Sequence, residues 1–542
     1  MDEFKFSMER VNQLSEFISP SKLSEYKIEF SILLVSILLA YVFVHRWNQR
    51  NVKGPKTWPF IGVLIELLRN YHRMHDWLTE YFVESKILQL RLPFMTSTYM
   101  TDPANVEHIL KTNFNNYPKG EDFQTCMKEL LGEGIFNSDG ELWRQHRKTS
   151  SFEFASRNLR NFSTVVFKDC ALILADILHQ ASVLHKEIDM QELLLRMNLD
   201  SICKIGFGVE MGTLAHQLPD NRFAKAFDQA TGVCSFRFSN PFWKLQRFLK
   251  VGSEAVFVRS IQDIDEFTNS LIHKRIAELK AAKSTDDKKK HDILSRFIEL
   301  YENPESNSTV KSLRDVVINF VLAGRDSTAS TLSWLIYMII SNPNVAEKMY
   351  KEIITFEEEQ AKEVIGYDPK DPTLSFQEKI AKFATLLNYD SLGKLPYMHA
   401  TITETLRLYP AVPQDSKGVL EDDVLPDGTK VRAGERVVYV PYAMGRMEYL
   451  WGPDALSFNP DRWFNKEGLF ESASPFKFTA FQAGPRICLG KDSAYLQMKI
   501  ALAILFRFFN FHLVPNHPVK YKMMITIAMK HGLKLNVTTT QS

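Results

Sequence analysis

The chain has 542 residues and nearly balanced charge, 66 Lys and Arg against 64 Asp and Glu, with no basic stripe, which excludes an electrostatic nucleic-acid binder. At 45% hydrophobic and 12% aromatic residues it has the material for a deep core, which excludes a disordered protein. Its five cysteines, at 126, 170, 203, 234 and 488, are odd in number and scattered, which excludes a disulfide scaffold and suits a reducing compartment.

No internal repeat and no long flexible linker divides the chain, so the simplest organisation is one large domain behind an N-terminal anchor. The anchor is the uncharged run from Phe30 to Val44, extended into both interfaces by Tyr26, Ile28 and Trp47 to give a span over 28–47. A buried core helix is the competing reading of so short a run. Arg46, Arg50, Lys53 and Lys56 follow it with no acid before Glu66, whereas the residues ahead carry more acids than bases. The positive-inside rule therefore puts 1–27 on the lumenal side and the body in the cytosol. Two prolines stiffen Gly54-Pro-Lys-Thr-Trp-Pro-Phe-Ile-Gly62, a hinge over 48–62 that leads into a single domain over 63–542.

In the body, Leu88, Leu90 and Leu92 alternate with Gln89 and Arg91 before Pro93, predicting a hairpin within 86–101, and Pro103 opens a helix to Leu110. Helical periodicity covers 159–185, 189–206, 263–281, 310–340 and 344–359, while the charged stretch 283–291 reads as a solvated loop. Strand signals return at Val431, Val437 to Val440, and Leu533, Leu535 and Val537. The predicted class is mainly α (α+β), with small β-sheets.

Four constellations carry chemistry. Trp143 and Arg147, at i and i+4, share a helical face and can both donate to one anion, although an amphipathic surface helix has the same pattern. In the apolar stretch around Leu322-Ala323-Gly324-Arg325-Asp326-Ser327-Thr328, Gly324 costs about 1 kcal/mol in a helix relative to alanine and demands a reason. Glu404 and Arg407, at i and i+3, make a helical ion pair just before Pro410. Finally, Phe481-Gln-Ala-Gly484-Pro-Arg486-Ile-Cys488-Leu-Gly490 sets one cysteine in a glycine-bracketed loop beside an arginine and ahead of an apolar helix. Gly484 and Gly490 allow sharp turns that bring N–H groups to the sulfur, Phe481 can shield it, and the positive helix end favours a thiolate. Such a thiolate can hold a haem iron while Arg486 meets a haem propionate.

The last motif resembles the haem-binding loop of the cytochrome P-450 monooxygenases, Phe-x-x-Gly-x-Arg-x-Cys-x-Gly, at every fixed position, and Ala494 fits the small residue that follows. The other three occur in that family's order. The resemblance implies the P-450 fold behind one transmembrane helix, with haem b held by Cys488 as metal ligand and its propionates by Trp143, Arg147 and Arg486. It sets Ala323 and Gly324 over the haem, the glycine making room for O₂, and makes Asp326 and the neighbouring alcohols Ser327 and Thr328 the proton-delivery group. It turns Glu404, Arg407 and Arg462 of Phe458-Asn-Pro-Asp-Arg-Trp463 into a buried structural trio. Ser327 stands where the family usually has threonine, and Asp461 where it often has glutamate.

The resemblance further implies a monomer on the endoplasmic reticulum membrane with a cytosolic catalytic domain. Electrons would come from NADPH through a cytochrome P-450 reductase, which Arg144, Lys148, Lys477 and Lys491 are placed to meet. Asp102 to Leu110, Tyr442 to Asp454 and Ala483 to Asp492 resemble the plant clan of fatty-acid and alkane hydroxylases, implying long-chain fatty acids oxidised most often at the ω carbon. Ile135, Phe136, Leu322, Val412 and the Phe-rich stretch 236–248 are the candidate lining of an apolar channel. In-chain or alkane hydroxylation is the alternative within the clan. An O₂-independent isomerase or dehydratase, and a non-catalytic haem sensor or electron carrier, are the competing classes.

Overall fold

The computed structural model describes residues 20–48, 54–92, 95–154, 156–215, 217–283, 292–301, 310–364, 367–368 and 371–540. Most of the segment 1–27 expected on the lumenal side, residues 49–53 of the expected hinge and the loop at 284–291 lie outside the described residues. The first helix, α1 (Pro20–Asn48), contains a 22-residue stretch from Lys27 to Asn48 whose most apolar 18 residues have mean hydropathy 2.2 and are not buried in the body, long and apolar enough to cross a membrane. Its end meets the hinge, where Arg46 lies over the Trp58 ring at 4.6 Å and His45 Nε2 is 3.1 Å from Thr57 Oγ1.

The body is mostly helical. Its main helices are α2 (Met74–Phe82), α3 (Gly120–Leu131), α4 (Gly140–Phe154), α5 (Arg157–Val183), α6 (Met190–Phe207), α7 (Arg222–Arg237), α8 (Trp243–Leu249), α9 (Ser253–Lys283), α10 (Val310–Val321), α11 (Ser327–Ser341), α12 (Pro343–Ala361), α13 (Pro396–Leu408) and α14 (Lys491–Phe508). Local chemistry sets many of their ends. Asp189 caps α6 through Glu192 N–H and Gly208 ends it at φ +69°, Asn221 caps α7, and prolines stand at the starts of α12 and α13. The periodic run at 310–340 is interrupted by a π-turn, Leu322–Asp326, between α10 and α11.

A four-stranded sheet runs in the order β1 (Ile87–Leu92), β2 (Met95–Met100), β5 (Arg436–Tyr439), β4 (Asp415–Gly418). Strands β1 and β2 pair antiparallel with Leu90 opposite Ser97, β2 and β5 parallel with Ser97 opposite Arg436, and β4 and β5 antiparallel with Lys417 opposite Val437. A three-stranded sheet joins β3 (Ile188–Asp189), β7 (Lys534–Thr539) and β6 (Phe509–Leu513). The main core is built from α5, α6, α11, α13 and α14 around Leu174, Met197, Leu335, Ile402 and Leu502, each side chain contributing roughly 1.5–3 kcal/mol by leaving water. A second apolar cluster packs α3, α7, α9 and α10 beside the π-turn.

Candidate active site

The loop before α14 turns at Gln482 and Gly484, whose φ angles are +62° and +64°. A Cβ on Gly484 would stand 2.0 Å from the Leu110 carbonyl oxygen, so only glycine passes there. Gly490 is different from what the sequence suggests: its φ is −88°, and a Cβ would make ordinary contacts with Phe154 and Cys488 Sγ, so it makes no sharp turn. It starts α14 and supplies the N–H that reaches the Cys488 sulfur. Cys488 N–H donates to Phe481 C=O at 2.9 Å, closing the loop. The other four cysteines are buried, whereas Cys488 is accessible though protein surrounds it, as for a side chain that lines an internal cleft. Burial raises its thiol pKa, and the Gly490 N–H, Arg147 and Lys491 oppose that rise.

Trp143 and Arg147 both sit on α4, and the Arg486 guanidinium stacks 4.4 Å above the Trp143 ring. Arg486 also has protein partners that sequence reasoning missed: Nη2 donates to Asp139 Oδ1 at 2.6 Å and to Ser138 C=O at 3.0 Å, while Nε is buried without a partner. Next to them, Lys119 and Lys417 each donate from Nζ to Asp415 at 2.7 Å, and Gln482 Nε2 ties the same carboxylate to the Cys488 loop at 2.8 Å. Burial alone would raise the Asp415 pKa, but the two lysines hold it well below the usual carboxylate range. Burial lowers Lys417 to about 7 against the pull of Asp415. Three cations, Lys119, Lys417 and Arg486, thus face two acids, Asp139 and Asp415, and half-buried Arg147 adds its charge next to Arg486 and Cys488. This buried positive excess calls for an anionic group. The alternation Asp415-Ser416-Lys417, which puts both charges on one strand face, was its sequence signal.

In the π-turn, a Cβ on Gly324 would lie 2.7 Å from Ile202 of α6. The direction a side chain would take from this glycine is occupied by a neighbouring helix, a packing reason for glycine here. Ser327 Oγ donates back to the Ala323 carbonyl at 2.5 Å, and Thr328 is buried. Ala323, Gly324 and Ser327 keep accessible surface in an otherwise buried stretch. Asp326 is buried and accepts from Arg325 Nη1 at 2.7 Å. Burial pushes its pKa up to about 6, Arg325 opposes, and Asp228 of α7 adds to the rise.

The structure brings Glu404, Arg407 and Arg462 together. Glu404, fully buried, accepts from Arg407 Nη2 at 2.7 Å and Nε at 2.8 Å, from Arg462 Nε at 2.9 Å, from Trp463 Nε1 at 3.0 Å and from Asn459 N–H at 2.9 Å. Asp461 faces outward and pairs with Lys348 on the surface.

A family model described as Cytochrome P450 matches residues 52–535. The chain is also 61% identical over 519 residues to Cytochrome P450 704B1 of Arabidopsis thaliana, covering 94% of this chain and 99% of that one. The chain belongs to the cytochrome P-450 family. As a P-450 it is a monooxygenase, and it is 44% identical over 536 residues to Cytochrome P450 704C1 of Pinus taeda, covering 97% and 98% of the two chains. It is 39% identical over 518 residues to Cytochrome P450 86B1 of Arabidopsis thaliana, covering 93% and 89%.

P-450 enzymes carry a haem whose iron a cysteine thiolate holds. The residues of this P-450 fit such a group: the accessible Cys488 thiol with an N–H and cations aimed at it, and the surplus of buried positive charge beside it for two propionates. The candidate lining divides. The segment with Ile135 and Phe136 is pinned to α10 by Phe136 N–H donating to Asn319 Oδ1 at 3.0 Å, and Phe136 and Val412 keep exposed apolar surface. Leu322, by contrast, belongs to the second apolar cluster. Phe242 and Phe248, at 61% and 81% exposed, lie on the surface and line no internal channel. Lys477 is half-buried over the Trp451 ring at 4.2 Å, whereas Arg144, Lys148 and Lys491 are exposed.

Proposed function

We propose that this P-450 hydroxylates long-chain fatty acids, at the ω carbon, with O₂ and electrons delivered from NADPH by a cytochrome P-450 reductase. The observation that carries it is the accessible Cys488 thiol at the start of α14, beside a cationic cradle. The substrate class rests on the resemblance of three stretches to the plant hydroxylase clan, and the exposed apolar surface of Phe136 and Val412 supports it.

In this reading Cys488 is the iron ligand, and Gly490 N–H with the α14 N-terminus stabilises its thiolate. Trp143, Arg147 and Arg486, joined by Lys119 and Lys417, hold the propionate side. The bound haem supplies the activation of O₂. The chain's own task is proton supply: Asp326 takes protons from the solvent side, and the Ser327 hydroxyl, by leaving the Ala323 carbonyl, orients the water that passes them on. The span at 28–47 anchors the enzyme in the endoplasmic reticulum membrane with the body in the cytosol, and Arg144, Lys148 and Lys491 are the docking cations for the reductase.

Anchored enzyme, reductase and NADPH, incubated with a mixture of long-chain fatty acids and alkanes, should yield a terminal hydroxy acid located by mass spectrometry. In-chain or alkane products would keep the monooxygenase and replace the regiochemistry. Turnover without NADPH would favour the isomerase or dehydratase class.

A further inference from the structure

Eight arginines are buried among the described residues, and seven of them bond a carboxylate, as Arg237 bonds Glu254 and Arg325 bonds Asp326. Arg436, 6% exposed, is the exception. Its hydrogen-bond partners among the described residues are neutral: Nε donates to Ser97 Oγ at 3.1 Å, and the Tyr99 phenol stands against it. A guanidinium withdrawn from water without a counter-ion costs several kcal/mol, so an unpaired one persists where an anion is to be bound.

The sheet register says which anion. Side chains alternate across a strand, so Ser97, Arg436 and Gly418, opposite one another in the ladder, share one face, while Lys417, opposite Val437, points to the other with Asp415. Arg436 is thus turned away from the lysine cluster beside the Cys488 loop and serves a different anion from the one held there. Its surroundings are apolar: its guanidinium lies 6.0 Å from the Phe238 ring, which packs on Phe123 of α3 at 5.6 Å between centroids, and it acts electrostatically on Cys126 of the same helix. From Phe123 to its end at Leu131 α3 runs about 12 Å, and just past its end Phe136 N–H is bonded to Asn319 of α10, which leads into the π-turn. An acyl chain laid along this helix would have its acid end far from the cleft that Cys488 lines.

We infer that Arg436, with the Tyr99 hydroxyl, binds the carboxylate of the substrate and so holds the far end of the chain toward the reaction centre. The inference rests on the fatty-acid reading above and deepens it. The guanidinium offers Nη1 and Nη2 as a fork to the two carboxylate oxygens, and Tyr99 adds a third donor. Oxidation far from the carboxyl group follows from the length of the path between them.

Isothermal titration calorimetry of the holoenzyme with palmitic acid and with methyl palmitate separates the possibilities without relying on turnover. Wild type should prefer the acid by about 10- to 100-fold, the size of a charge-assisted pair. Arg436→Met should abolish that preference while ester affinity stays within about twofold, and Arg436→Lys should keep part of it. An acid preference unchanged in Arg436→Met overturns the assignment. Equal binding of acid and ester to wild type also overturns it, and continued terminal hydroxylation of the ester would then leave the aliphatic hydroxylase intact. Binding of neither ligand removes the fatty-acid reading as well. Should Arg436→Met not fold, Tyr99→Phe carries the test, with severalfold weaker acid binding and unchanged ester binding expected; an unchanged acid affinity counts against the site.

Discussion

Asp228 and Asp326, on different helical segments, share the Nη1 of one guanidinium, that of Arg325, at 2.8 and 2.7 Å. The Asp228 side chain is 38% exposed and that of Asp326 5%, so the acid assigned to proton supply sits one buried arginine away from a carboxylate in contact with water. Ionisation of Asp326 is set by burial, by Arg325 and by Asp228 of α7, which are the charged groups acting on it. Asp228→Asn removes the neighbouring negative charge and should lower the Asp326 pKa from about 6, moving the acid limb of product formed per NADPH to lower pH. Arg325→Met should move it to higher pH. The same group has a stability signature. Folded Asp326 holds its proton more tightly than an unfolded aspartate near 3.9, so stability should fall as pH rises from about 4 to about 6. Asp326→Asn should flatten that slope in urea titrations across this range.

Gly324 and Ile202 are in closer contact than any other side chain at 324 would allow. Gly324→Ala should therefore destabilise by about 1–3 kcal/mol through overpacking, although alanine is the better helix former. Combined with Ile202→Ala, it should cost less than the sum of the single changes by about 0.5 kcal/mol or more in denaturant unfolding, as expected of residues in contact.

Glu404 neutralises Arg407 and Arg462 in a site closed to water. Glu404→Gln leaves the buried Arg407 short of charge compensation, while Arg462 keeps Asp454 at 2.9 Å, and should cost about 3–5 kcal/mol, with poor recovery of haem-loaded protein. Its thermal midpoint and haem content are the measurements.

Ser327 lacks the methyl that would restrict a threonine side chain, and its hydroxyl is bonded back to the Ala323 carbonyl. Ser327→Ala should raise peroxide per NADPH severalfold with substrate binding little changed, and Ser327→Thr should lower it. Unchanged peroxide in both variants would move the role to another group.

Cys488→Ala should abolish the thiolate-type spectrum of the reduced CO complex. The same change at buried Cys203 should leave that spectrum in place, since this thiol belongs to the second apolar cluster.

Much of the architecture was legible because it follows from near neighbours. The alternation at Leu88 and Leu90 reports a strand pair, and the helical period over 310–340 reports α10 and α11, because side-chain direction repeats every two residues in one and every 3.6 in the other. The Glu404 and Arg407 pair was legible for the same reason, being one helical turn apart. The break at Leu322–Asp326 was signalled by a glycine, yet its reason, Ile202 arriving from α6, was not.

The sequence by itself determined the family, the mainly helical class, the apolar span and the order of the chemical motifs, since these rest on residue type and short spacing. Only the tertiary structure decided that Lys119 meets Asp415 across 296 positions, that Arg486 leans on Asp139, that Asp228 and Asp326 share Arg325, and that Arg436 has no acid beside it among the described residues. Charge pairing inside a protein depends on which surfaces the packing brings together and closes to water, and no local periodicity encodes that distance.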